Sequence, residues 1–191
     1  MSDYYQHHYQ VYHARTFWVD PSSFLDPLTI HLKSGNTVVD VGCGSGRDIL
    51  WLKSRGYDVI GLERSSGLAG LARAHTACRI IEADFETYDF SKLSADALVL
   101  IGALVHLPRP KFPKVFNAIC QALKKSGFLL ITMKQGKGFE ADPDGRRFYL
   151  WQDEDLRKVF QSQNLPVIDF FRQPSKINPN ETWLGYLLQK V

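Results

Sequence analysis

The stretch "VVDVGCGSGRDIL", Val38 to Leu50, constrains this chain more than any other. An apolar run ending at Asp40 has the composition of a buried strand, and "RDILWLKSRG" after the glycines repeats its apolar positions at helical period. Gly42, Gly44 and Gly46 allow a tight turn between the two and let a ligand approach backbone that carries no Cβ. The free N–H groups and positive dipole end of the following helix point at the same place. The segment therefore predicts a cofactor seat in an open α/β sheet. A dinucleotide fingerprint would put its third glycine at the position of Arg47. Gly46 followed by a long Arg makes a pyrophosphate the less suitable guest.

The rest of the chain extends the pattern. Pro21 to Leu32 reads as a helix and Ser34-Gly35-Asn36 as a turn. Strands Val38–Val41, Asp58–Leu62 and Arg79–Glu82 alternate with helices Arg47–Arg55 and Gly67–His75. Strand Ala97–Gly102, helix Lys111–Leu123 and strand Phe128–Met133 follow. Such alternation with short connections predicts a parallel sheet with right-handed crossovers. After a helix at Asp153–Gln163 come "VIDFF" and "TWLGYLLQ", joined by a Pro/Asn-rich loop. With no helix between them these two should pair antiparallel. The expected fold class is α/β, a Rossmann-like doubly wound sheet of seven strands, mostly parallel with an antiparallel last strand and helices on both faces. We expect one domain over residues 1–191, with an N-terminal helical lid segment at 1–33 and a core at 37–191.

Composition narrows the function. Hydrophobic residues make up 45% and charged residues 23% of the 191, which is ordinary for a globular protein. The net charge is +3, and the basic residues are scattered, so no stripe predicts nucleic-acid binding. Cys43, Cys78 and Cys120 are too few and too far apart for a disulfide framework or a metal knuckle. The start "MSDYYQHHYQ" lacks the apolar core of a signal peptide, and no apolar run is long enough to span a bilayer. The expectation is a cytoplasmic enzyme with reduced thiols and no metal, no nucleic-acid partner and no membrane contact, acting as a monomer or weak homodimer.

Ligands of open α/β sheets bind beyond the carboxyl ends of the strands, where strand order reverses. The candidate site residues are therefore Asp40 to Gly46, Glu63, Ala83-Asp84-Phe85, Gly102 to His106, and Lys134 to Gly138. On these residues the chain resembles the class I S-adenosylmethionine-dependent methyltransferases. Asp40-x-Gly42-x-Gly44-x-Gly46 is similar to that family's first motif, around the methionine end of the cofactor. Glu63, with Arg64 beside it, matches the acidic residue that takes the ribose hydroxyls. Asp84, between Ala83 and Phe85, matches the acidic residue that accepts from the adenine amino group. "IGALVHL", with Gly102 and Ala103, corresponds to the segment along the methyl-transfer side. "YHARTF", "GCGSGRD" and "DGRRF" are similar to small single-domain bacterial members.

The resemblance implies S-adenosyl-L-methionine as cofactor and S-adenosyl-L-homocysteine as product. The chemistry of the residues agrees. A carboxylate about 20 residues past the glycine turn suits a ribose diol, and a second one at the third strand suits an uncharged adenosine. Asp40 and the turn carbonyls can meet an ammonium group. Arg47 or a tyrosine of the N-terminal segment can meet the carboxylate. Cys43 reads as a small packed residue of the turn.

The implied function is methyl transfer to a small-molecule acceptor. Orientation of the in-line displacement supplies ~7–11 kcal/mol of barrier without a metal. An acceptor that holds a proton needs a base, and His106 or Tyr12 is the candidate. Tyr5, Tyr9 and Tyr12 recur at spacings of four and three, one helix face able to cover a sulfonium by cation–π contact. Tyr9, Lys134, Arg146 and Arg147 are the expected acceptor-binding residues, an arginine fork there suiting an anionic group. Two rival functions are a NAD-type oxidoreductase and a non-catalytic cofactor-binding relative.

Overall fold

A computed structural model describes residues 4–191. The N-terminal segment forms helices α1 (Tyr4–His7), α2 (Tyr9–Thr16) and α3 (Ser22–Thr29). Strand β1 (Thr37–Val41) leads through the glycine turn into α4 (Arg47–Lys53). Then follow β2 (Asp58–Glu63), α5 (Ser66–Thr76), β3 (Arg79–Glu82), β4 (Ala95–Ile101), α6 (Phe112–Ile119) and β5 (Leu123–Lys134). A short hairpin of β6 (Phe139–Ala141) and β7 (Arg147–Tyr149) precedes α7 (Asp153–Ser162), β8 (Val167–Pro174) and β9 (Thr182–Gln189).

The main sheet has seven strands in the order β3-β2-β1-β4-β5-β9-β8. Pairings from β3 to β5 are parallel, and β9 runs antiparallel to both of its neighbours. The chain builds outward from β1 to β3 and then returns to lay β4 on the other side of β1. The order therefore reverses between β1 and β4, and a crevice opens beyond their carboxyl ends.

Side chains of successive strand residues alternate between the two faces, and both faces are covered. On one face Val38, Ala97, Val99 and Leu130 pack with Leu25 and Leu28 of α3, Ile49 and Leu52 of α4, and Ala69 and Ala72 of α5. On the other Val39, Val41, Leu98, Leu100, Leu129 and Ile131 pack with Phe112, Phe116, Leu156 and Phe160.

Three local expectations change. The helix expected over Lys111–Leu123 is a single-turn 3₁₀ helix at Arg109–Lys111, then α6, then another 3₁₀ turn at Cys120–Ala122. Pro113 sits in the first turn of α6, where its missing N–H costs nothing. At the other end Lys190 Nζ donates to the carbonyls of Cys120 at 3.0 Å and Leu123 at 2.6 Å, satisfying acceptors that an ending helix leaves open. The fifth strand begins at Leu123, ahead of the expected Phe128, across an irregularity in the pairing with β4. The helix expected over Pro21–Leu32 covers only Ser22–Thr29. The β6–β7 hairpin had no counterpart in the sequence reading, although "DPDG" within "ADPDGRRF" is a turn signal and Gly145 takes φ 84° there.

Candidate functional site

The glycine turn is tied to its surroundings by backbone. Gly42 and Cys43 both donate to the carbonyl of Leu62, at 2.8 and 3.1 Å. Gly46 has φ +89°, and a Cβ there would lie 2.8 Å from Thr76 and 3.1 Å from the backbone of Ala72. The close approach of α5 to the turn thus falls on Gly46. Gly44, at φ +55°, would instead aim a Cβ at the ring of Tyr12, 3.6 Å away, across the crevice. Cys43 is buried, and burial pushes its thiol well above the ordinary range, as a packed residue requires.

Three acidic groups converge on this turn. Glu63 is 8% exposed, and its two carboxylate oxygens accept from the amides of Gly44 at 2.9 Å and Ser65 at 2.8 Å. Burial nevertheless raises its pKa against those hydrogen bonds. Asp40 is 2% exposed, and its Oδ2 has no hydrogen-bond partner. Burial first, then the nearby Asp48 carboxylate, pushes Asp40 well up. Asp48 itself holds Arg47, with Nε at 2.7 Å and Nη2 at 3.0 Å.

Above the turn is a cavity of about 340 Å³ lined by Gly42, Gly44, Glu63, Arg64, Phe85, Gly102 and Ala103, among others. Asp84 and Ala83, expected there with Phe85, do not line it. Asp84 Oδ1 accepts from the amide of Glu86 at 2.8 Å, and its other oxygen lies 3.6 Å from Arg64. A second cavity of about 230 Å³ lies toward β5, β9 and the hairpin. Arg47, expected beside a cofactor, lines this second cavity because Asp48 draws it there.

The two cavities share a wall of Tyr5, Tyr12, Ile101, Gly102 and His106. Tyr5 and Tyr12 meet edge to face, with ring centroids 4.9 Å apart. Tyr5 Oη lies 2.7 Å from His106 Nε2, and His106 Nδ1 lies 2.6 Å from the carbonyl oxygen of Arg147. A carbonyl only accepts, so Nδ1 carries the hydrogen in the neutral ring and Nε2 accepts from the Tyr5 hydroxyl. Burial chiefly, opposed by the Arg147 hydrogen bond, lowers the His106 pKa to about 4.

The N-terminal helices are fastened over this wall. Ser65 Oγ donates to the carbonyl of Tyr5 at 2.8 Å, and Gln6 Oε1 accepts from the amide of Ser66 at 3.1 Å. His13 stacks on His75 with centroids 4.9 Å apart, and His75 Nδ1 donates to the Ser45 carbonyl of the glycine turn at 3.2 Å.

In the second cavity Lys134 is 4% exposed, pairs with Glu181 at 2.8 Å and sits 3.7 Å over the ring of Phe148. Arg146 also lines it, held by Asp142 at 2.5 Å and Asp144 at 3.3 Å. Arg147 differs from its neighbour. Its side chain is exposed, and what reaches the site is its carbonyl. Arg147 is the first residue of β7, and Arg146 lies just before the strand begins. Tyr9 lines neither cavity. The helix breaks at His8, and the Tyr9 ring turns onto Gly67 at the start of α5, where a Cβ would fall 2.5 Å from it. Sequence reasoning missed Asp48, Phe148, Glu181 and Trp183, and it placed Tyr5 on the lid without a partner. Adjacent charges at Arg47-Asp48 were the only available signal.

Residues 38–127 match the family described as a methyltransferase domain. Phosphoethanolamine N-methyltransferase 2 of Caenorhabditis elegans is 31% identical over 147 residues, which is 71% of this chain and 33% of that protein. A ubiquinone biosynthesis O-methyltransferase of Dechloromonas aromatica is 27% identical, over 60% of this chain and 56% of its own length. The chain thus spans a third to just over half of these curated relatives. Among solved structures, 1,6-didemethyltoxoflavin-N1-methyltransferase of Burkholderia thailandensis superposes with a TM-score of 0.79 at 20% identity, covering 97% of this chain and 84% of that one. That structure holds 1,6-didemethyltoxoflavin and S-adenosylhomocysteine.

Proposed function

We propose that this chain is a class I S-adenosylmethionine-dependent methyltransferase that methylates a small-molecule acceptor, with cofactor in the first cavity and acceptor in the second. The observation that carries this reading is the shared wall, since transfer needs two ligands to meet at one place. The names of the relatives support a small acceptor, because each denotes a small molecule or the biosynthesis of one.

The residues present fit the cofactor. Asp40 Oδ2, buried and unpartnered, is an acceptor waiting for a cationic donor such as an ammonium group. Glu63 keeps free lone pairs after its two backbone bonds, and these suit a diol. A bare Gly44 leaves open the space that a side chain would fill beneath Tyr12. When bound, the cofactor supplies a methyl group already activated by its positive sulfur.

The protein's own work is then orientation, exclusion of water and placement of a proton. Tyr5 and Tyr12 close the crevice from above, and Gly102 leaves the floor low between the cavities. Lys134 and Arg146 are each already held by carboxylates, which fixes their place in the acceptor pocket. The test is transfer of labelled methyl from adenosylmethionine to a panel of phenols, amines, thiols and carboxylates. Transfer to a small acceptor supports the reading; binding of cofactor with no transfer to any panel member, and transfer to protein or nucleic acid instead, contradicts it.

A further inference from the structure

We propose that Tyr5 is the residue that meets the acceptor's reacting atom, passing its own proton to His106 as it takes one, and that the acceptor is therefore a hydroxyl or amine that arrives protonated.

The proposal rests on the methyltransferase reading and deepens it. Of the residues common to both cavities, Tyr5 is the one whose hydroxyl is joined to a base, at 2.7 Å from His106 Nε2. The Arg147 carbonyl fixes the tautomer of His106, so Nε2 is the free base of the ring. Burial chiefly holds the phenol in its neutral form, and Arg146 nearby partly offsets this. A base within hydrogen-bond reach and a nearby cation let a phenol relay a proton without staying ionised.

The proton and electron count closes. The proton on the acceptor's O or N passes to Tyr5 Oη while the Tyr5 proton passes to His106 Nε2. The acceptor lone pair forms the new bond to the methyl carbon, and the carbon–sulfur bond breaks with its electron pair left on sulfur. One positive charge leaves sulfur as one appears on the imidazole, so the net charge of the closed site is constant. The imidazolium, disfavoured by burial, loses its proton to solvent when the N-terminal helices open. An acceptor that is already anionic has no use for this relay. Of the five Lys and Arg residues lining the second cavity, Arg47, Lys134, Arg146 and Lys176 are paired with Asp48, Glu181, Asp142 and Asp20, which leaves the exposed Arg15.

The experiment uses the full chain with labelled adenosylmethionine and four probes of one skeleton: phenol, aniline, thiophenol and benzoate, at mildly alkaline pH where the thiol ionises unaided. Wild type should methylate phenol or aniline. Tyr5→Phe, which keeps the ring against Tyr12, should lower that kcat on the order of 100-fold with little change in KM, and leave any transfer to thiophenol unchanged. An equal loss on thiophenol makes Tyr5 structural and overturns the proposal. So does an unaffected rate, transfer only to thiophenol or benzoate, or no transfer to any probe by protein that binds the cofactor. Failure to bind adenosylmethionine by calorimetry is separate and removes the underlying reading itself.

Discussion

Glu63 accepts from the amide of Gly44 at 2.9 Å, so one buried carboxylate joins the end of β2 to the glycine turn 19 residues earlier. The same group lines the larger cavity. Removing it should cost both the diol contact and the shape of the turn. Glu63→Ala is expected to weaken adenosylmethionine binding by ~1.5–3 kcal/mol, the range for hydrogen bonds to a charged group. Glu63→Gln should lose somewhat less. Titration calorimetry on folded variants checks this, and unchanged affinity in both counts against a ligand role for Glu63.

Two glycines of one turn should fail in different ways. Gly46→Ala puts a methyl 2.8 Å from Thr76 at φ +89°, so it should lower stability by about 1–3 kcal/mol. Melting should fall by roughly 2–4 °C per kcal/mol. Gly44→Val at φ +55° points into the crevice toward Tyr12. It should abolish cofactor binding with a smaller loss of melting temperature. Thermal scans with and without S-adenosylhomocysteine separate the two, and a Gly44→Val protein that is stabilised normally by that ligand contradicts the assignment.

The closed N-terminal helices should depend on pH. His106 has a folded pKa lowered from 6.5 to about 4, and burial, then the neighbouring His75, lowers His13 as well. A depressed histidine means that the closed form prefers the neutral ring. Its contribution is complete above about pH 6.5 and is lost progressively as pH falls toward 4, because the open form binds the proton first. Hydrogen-exchange protection over residues 9–17 should therefore drop between pH 7 and pH 5. Equal protection at both, after correction for intrinsic rates, rejects the coupling.

Bound S-adenosylhomocysteine should raise protection of the same segment at constant pH. Within it Tyr12 joins the cavity wall and Phe17 is buried. A ligand beneath it would add contacts that offset its ordering entropy. Identical exchange with and without the ligand would show that these helices are a fixed part of the core.

Most of the fold was legible because it follows from local rules. The glycine turn, the alternation of strand and helix, and the missing helix before "TWLGYLLQ" set the topology, including the reversed β9. What was not legible depended on tertiary contacts. The end of α6 is set by Lys190, about seventy residues onward, and no pattern within "FNAICQALKK" encodes it. In the site, the carboxyl ends of the strands predicted Asp40, Glu63, Gly102 and His106; the last three line the larger cavity, whereas Asp40 is buried and outside its lining. The division of labour between Arg146 and Arg147 depends on where the short strand β7 begins, which is at Arg147. The assignment of Tyr5 to His106 spans 101 residues. Tyr9 shows the reverse error: its spacing places it with Tyr5 and Tyr12 only if the helix is continuous through His8.

The central claim is that the crevice between β1 and β4 binds an adenosine joined to a charged amino acid and not a dinucleotide. The most direct measurement is titration calorimetry of one protein sample with adenosylmethionine, S-adenosylhomocysteine and NAD. The account predicts one-site binding of the first two at micromolar level, about −8 kcal/mol, lost in Gly44→Val, with no heat from NAD. Binding of NAD in preference to adenosylmethionine, or binding of neither by well-folded protein, would contradict it.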